Sequence, residues 1–231
     1  MATLGFMGLY QLINPGKALG RTMAPAALGY GPLKKDPAGI LNLPEGFSYK
    51  LLTKKGDKMD DGFYLPGASD GMGAFQGKNG RTIVVRNHEL SPDSLENSGF
   101  GKNNELLDKL SSKDFYDFGK GLLPSLGGTS TFVYNEETGE LEKQFISLAG
   151  TVRNCAGGIT PWGSWLTCEE STLKKGGYDG RLEKDHGYVF EVPATEKIQR
   201  AKPLPIKAMG RFNHEAVAVD PASGVVYLTE D

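Results

Sequence analysis

The chain has 231 residues, with 26 Lys plus Arg against 28 Asp plus Glu, for a formal net charge of −2. Glycine supplies 32 residues, roughly twice its usual ~7% share. These proportions exclude a collagen-like repeat, a long coiled coil and a multi-span membrane protein, and the balanced charge argues against a general nucleic-acid binder.

The first segment, MATLGFMGLYQLI, is apolar, uncharged and too short to cross a bilayer as a helix. It reads equally as the core of an export signal without its basic start and as an ordinary apolar N-terminus. The small residues of TMAPAALG suit a cleavage site, and no twin-arginine pair is present. Residues 14–44, with Pro15, Pro25, Pro32, Pro37 and Pro44, read as an extended lead-in.

In LPEGFSYKLLT the alternation of Phe47, Tyr49 and Leu51 predicts a strand. Residues 54–80 are rich in glycine, carry Asp57, Asp60, Asp61 and Asp70, and read as a long loop. GRTIVVRNHE is a β-branched strand. Residues 91–126 show only a weak helical period through Leu106, Leu107 and Leu110, which predicts a short helix or an ordered loop between strands. TSTFVYN and ELEKQFISL form a hairpin about a turn at Glu136–Gly139. A strand begins near Trp162, HGYVFEVP is another, and FNHEAVAVD and VVYLTED make a second hairpin. The class is all-β: a sandwich, a barrel or a propeller.

Two features favour the propeller. Asn-His-Glu occurs at 87–89 and again at 213–215, and strands repeatedly finish in acids: Glu89, Glu169–Glu170 and Glu230–Asp231. A propeller brings equivalent strand positions to one central channel. Carboxylates gathered there beside an amide suit calcium, which takes six to eight oxygen ligands. Asn87, Glu89, Glu169 or Glu170, Glu215, Glu230 and Asp231 supply that chemistry. Because strand side chains alternate in direction, at most one of Glu169 and Glu170 reaches a shared site unless a bulge intervenes.

His88, His186 and His214 lack zinc-site spacing and read as residues that orient neighbours or cover the site. The two cysteines, Cys155 and Cys168, leave three readings open: a disulfide, two buried thiols, or one reactive or ligating thiol. Cys155 lies in RNCAGGITPWG near Arg153, where a thiolate would serve as a soft metal ligand or a nucleophile. Cys168, inside a strand, reads as a small buried residue. No nucleophile elbow, Walker loop or dinucleotide fingerprint occurs.

With RNHEL, NCAGGITPWGSWLTCEE, HGYVFEVP and FNHEAVAVDPASGVVYLTED in view, the chain resembles the PhoX-type alkaline phosphatases from about Leu43 to Asp231. The resemblance implies a β-propeller, here roughly the N-terminal half of a six-bladed type with a small helical or loop insertion. It implies phosphomonoester hydrolysis, a cofactor of Fe3+ and Ca2+, and twin-arginine export to the periplasm or beyond. By it, Cys155 is the thiolate that bridges the irons, Glu215 an iron ligand, and Glu89 and one of Glu169 and Glu170 calcium or shared ligands. Glu230 and Asp231 begin another metal-binding strand. For phosphate ester hydrolysis, Cys155, Glu215 and Arg153 are the catalytic candidates, and Arg86, Arg153 and Arg211 are candidates for gripping phosphate oxygens. Family members are longer, so the expectation is a chain shortened at both ends. Residues 1–42 would be a signal remnant and lead-in, and 43–231 a partial phosphatase domain. Its partners would be small phosphate monoesters, with no nucleic acid, no stable membrane insertion and a monomeric whole protein. The alternatives are a calcium-only propeller hydrolase of lactonase or phytase type, which needs no thiolate, and a non-catalytic calcium-binding propeller fragment.

Overall fold

In the computed structural model, residues 29–231 are described; the expected signal remnant and cleavage site lie before them. The chain divides into two compact units, Met1–Leu51 and Leu52–Asp231.

In the first unit, β1 (Leu33–Lys34) pairs antiparallel with β2 (Leu43–Pro44). The loop between them closes on Asp36, whose carboxylate accepts from the amides of Ala38, Ile40 and Leu41 and from the Tyr49 hydroxyl at 2.6 Å. The strand expected through Phe47, Tyr49 and Leu51 does not form. All three side chains are exposed: the alternation is present, but no neighbouring strand takes up its backbone.

The second unit is built of antiparallel meanders. The first sheet runs β3 (Ser69–Gln76), β4 (Arg81–His88), β5 (Gly127–Asn135) and β6 (Glu140–Thr151), each strand beside the next in sequence. The second contains β7 (Asn154–Ile159), β8 (Ser164–Glu169) and β9 (Val189–Pro193), and the third is the hairpin of β10 (His214–Val219) and β11 (Val226–Glu230). The described residues are mostly strand and loop, with no closed barrel. The hairpins follow their turn chemistry: between β5 and β6, Asn135 Oδ1 accepts from Glu137 and Thr138, and Gly139 closes the turn at φ +68°.

One stretch departs from expectation, and another takes the second of its two expected forms. Residues 54–80 are not all loop, because 69–76 form β3 against β4. Residues 91–126 form an ordered loop with isolated 3-10 turns, such as Leu107–Lys109, and no α-helix. That loop is held by Leu90, Phe100, Phe115 and Leu126, packed on Phe63, Leu65 and Ile146. Asp60 and Asp61, read as loop acids, accept from the Gln144 and Ile146 amides of edge strand β6, each at 2.7 Å. They blunt an otherwise open sheet edge.

Between the first two sheets, Val85, Tyr116, Leu148, Trp165, Phe190 and Val192 form an apolar cluster. Strand β7 lies against both β3 and β10, and glycines permit the approach. A Cβ on Gly158 would fall 2.0 Å from the Val217 carbonyl oxygen. Gly158→Ala is expected to push β7 and β10 apart and destabilise the protein by about 3 kcal/mol or more, measured by urea unfolding. Stability within about 0.5 kcal/mol of the parent would contradict this packing.

Candidate metal centre

The acids converge because the sheets are antiparallel. The ends of β4, β8 and β11 meet the starts of β3, β7 and β10: Ser69 pairs with His88, Asn154 with Glu169 and His214 with Glu230. In each sheet the register then slips by one residue on the entering strand, at 70–71, 155–156 and 215–216. A β-bulge of this kind re-aims side chains, and the three bulges carry Asp70, Cys155 and Glu215. The residue just past the end of the partner strand is in each case an acid: Glu89, Glu170 or Asp231.

Cys155, Glu170 and Glu215 each present a donor atom within 4.8 Å of the other two. The Cys155 thiol is buried and faces the carbonyls of His214 at 3.4 Å and Glu215 at 3.6 Å. Burial pushes its pKa up to about 12, and the charges of Glu215 and Glu170 add to the effect. A thiolate here therefore requires a neighbouring cation. Both cysteines are buried and free, so the disulfide alternative is not the one adopted.

Arg153 binds the carboxylates together. Its Nε and Nη2 donate to Glu89 Oε1 at 3.0 and 2.8 Å, and Nη2 also donates to Glu170 Oε2 at 2.7 Å. Its backbone sits at φ +48° in the turn between β6 and β7. Glu170 is further hydrogen-bonded to Asp231; burial first, then Asp231 and Glu89, raise its pKa against the pull of Arg153. Asp70 is raised by burial and then by Glu89. Carboxyl groups crowded in this way are an arrangement that a bound cation would relieve.

The structure engages several of the expected ligands elsewhere. The Asn87 amide is committed to neighbouring protein groups. It is fully buried, its Nδ2 donates to the Cys155 and Ala156 carbonyls at 3.0 and 2.8 Å, and its Oδ1 accepts from Trp165 Nε1 and Thr167 Oγ1. It clamps the bulge that carries Cys155. Glu169 is engaged likewise: it points inward, away from Glu170, and both its oxygens are occupied by Val152, His186, Gly187 and Tyr188. Glu230 stands opposite His214 across the β10–β11 ladder, outside the three-donor group. Arg86 is buried on Ser130 and Thr53, and Arg211 is spent on the carbonyls of Thr172 and Leu173, so neither faces the group.

The histidines have separate tasks. His88 bridges Gly67 O and Ser130 Oγ, and burial lowers its pKa to about 3. His186 lies between Asp117 and Glu169; burial alone would lower its pKa, but hydrogen bonds to the two carboxylates outweigh that and raise it to about 9. His214 stacks on Phe212 with ring centroids 3.6 Å apart. The Asn-His-Glu echo is not a structural repeat. Its first copy ends β4, whereas its second enters β10. The equivalence lies in the bulged positions 70, 155 and 215. In the sequence Asp70 reads as a loop acid and not as a candidate ligand, because its strand is glycine-rich and carries little apolar pattern.

The donor set fits a metal ion. A soft thiolate beside carboxylates suits a transition metal such as iron or zinc, and the surrounding carboxylates suit calcium. The family model described as alkaline phosphatase PhoX matches residues 28–122 and 125–231. The chain belongs to the PhoX alkaline phosphatase family. No curated protein matches it. Among solved structures it is similar to Pseudomonas fluorescens PhoX in complex with vanadate, a transition state analogue, with a TM-score of 0.53 and 17% identity. The likeness covers 81% of this chain and 46% of that one, so the chain spans about half the length of that relative. At this identity the likeness speaks for the fold.

Proposed function

We propose that the whole protein is a metal-dependent phosphomonoesterase that releases inorganic phosphate from small organic phosphate esters. The observation that carries this reading is the convergence of Cys155, Glu170 and Glu215 within 4.8 Å, beside Arg153. Family membership over residues 28–231 supports it. On this reading Cys155 and Glu215 hold Fe3+, while Glu89, Glu170 and Asp231, joined by Asp70, hold Ca2+ or share ligands with the iron. Such ions neutralise phosphate oxygens and stabilise the charge that develops in the transition state.

The chain's own residues do the rest. Arg153 keeps Glu89 and Glu170 oriented, and its Nη1, which makes no hydrogen bond among the described residues, remains to meet a phosphate oxygen. Asn87 and the bulge it clamps keep the Cys155 sulfur aimed at the carboxylates. The two meanders and the hairpin are read as successive blades of a propeller, with 43–231 as the phosphatase part. Export to the periplasm or beyond is part of the same proposal. Among the described residues no helix is long and apolar enough to cross a membrane.

The test is nitrophenol release from p-nitrophenyl phosphate by the full-length protein, before and after chelation, with metal analysis of the same sample. Chelator-sensitive release with iron and calcium bound is expected. Release that survives complete metal removal, or zinc as the sole bound metal, would sink the assignment.

A further inference from the structure

We propose that His186 is a positioning residue for the metal centre, acting through Glu169 and the Val152–Arg153 turn; the inference rests on the metal-centre reading above. His186 touches none of the three donor groups. Its Nδ1 lies 2.7 Å from Glu169 Oε1 and its Nε2 3.3 Å from Asp117 Oδ2, with all three side chains fully buried. A ring nitrogen without a proton would set a lone pair against a carboxylate. Both nitrogens therefore donate, and the ring is an imidazolium.

Each carboxylate has further work. Asp117 accepts from the amides of Gly119, Glu183 and Lys184. Glu169 accepts from Gly187 and Tyr188 on one oxygen, and from His186 and Val152 on the other. The imidazolium thus ties two loops, 117–119 and 183–188, to the end of β8.

The link to the centre runs through Val152. Its amide donates to Glu169 Oε1 at 2.9 Å, and the next residue is Arg153 in the left-handed region, at φ +48°. That conformation is uncommon for a side-chain-bearing residue and must be held by its surroundings. The Arg153 carbonyl accepts from the Glu170 amide at 2.9 Å, and its guanidinium grips the Glu170 and Glu89 carboxylates. From His186 to the donor Glu170, every step is a direct hydrogen bond or the adjoining peptide. Removing the imidazolium leaves two buried carboxylates without their shared cation. One must then take up a proton or turn away, and Glu169 loosens its hold on the turn that aims Arg153.

The experiment is a cobalt(II) titration of the metal-free protein, reading the thiolate-to-metal charge-transfer band that Cys155 ligation produces. His186→Gln is expected to weaken cobalt affinity by roughly 10–100-fold, the usual cost of losing a partner behind a ligand, and to shift the band. Phe63→Leu, in the separate core beneath the 91–126 loop, is expected to lower the melting temperature without changing affinity or band. A folded His186→Gln with the parent's affinity and band overturns the positioning role and leaves the metal centre standing. A parent protein with no band overturns both. Should His186→Gln fail to fold, His186→Gly is titrated with and without imidazole. Recovery of tight binding on adding imidazole supports the role, and binding that is equally tight without it refutes the role.

Discussion

On the proposed reading, a Cys155→Ala protein is expected to bind no iron and to lose at least about 100-fold in phosphomonoester hydrolysis, a loss of about 3 kcal/mol of transition-state stabilisation. The reason lies in the thiol's surroundings. Burial pushes its pKa up to about 12, so in metal-free protein it is a neutral, weakly polar group among Leu166, Cys168, Val189 and Val217. Replacing it by alanine removes one atom from an apolar cluster and costs about 1 kcal/mol of folding stability. The large effect therefore appears only in metal content and turnover, and the small one in the melt of the metal-free chain. A calcium-only hydrolase built on the same carboxylates would give the opposite pattern, with activity and metal content intact. Iron analysis and nitrophenol release on one preparation separate the two.

Asn87→Asp is expected to destabilise the protein by about 3–5 kcal/mol and to weaken metal binding with it. If Asn87 were a calcium ligand, a carboxylate in its place would bind at least as well. Its hydrogen bonds predict the reverse sign. Nδ2 donates to two carbonyls, those of Cys155 and Ala156, and no flip of the amide leaves both satisfied, because Oδ1 is already held by Trp165 and Thr167. An aspartate puts a negative oxygen against two carbonyl oxygens in a fully buried site. The bulge that carries Cys155 then opens. Urea unfolding of the metal-free protein reads the first effect and a metal titration the second; a variant that is as stable as the parent and binds calcium more tightly would restore Asn87 to the ligand set.

Asn87 also shows where sequence reasoning stops. Residue type says that an amide can offer an oxygen to a cation; it does not say whether that oxygen is already in use. Glu169 is the same case. Strand alternation turns Glu169 and Glu170 to opposite faces, and in the structure it is Glu170 that lies beside Cys155 and Glu215. Which one depends on His186, Gly187, Tyr188 and Val152, brought to Glu169 from residues 18 or so positions away on either side of a loop. Asp70 was hidden for another reason. SDGMGAFQ has too few apolar side chains to display a period, and it becomes a strand because Arg81–His88 supplies the backbone partners. The reverse happened at Phe47, Tyr49 and Leu51, where a good alternation found no partner and stayed irregular.

The hairpins at 127–151 and 214–230 were legible because their signals are local. Asn135 and Gly139 dictate one turn, Asp220 and Gly224 the other, and the flanking apolar residues sit at strand spacing. The Cys155 loop and the strand-end acids were legible as chemistry for the same reason: thiol and carboxylate are properties of the residues themselves. Tertiary structure decided which of them act together. One extra residue in each of three strands turns Asp70, Cys155 and Glu215 from their default faces, and antiparallel pairing sets Glu89, Glu170 and Asp231 beside them. A one-residue change of register leaves no mark on composition or periodicity, yet it reverses the direction of every side chain that follows it.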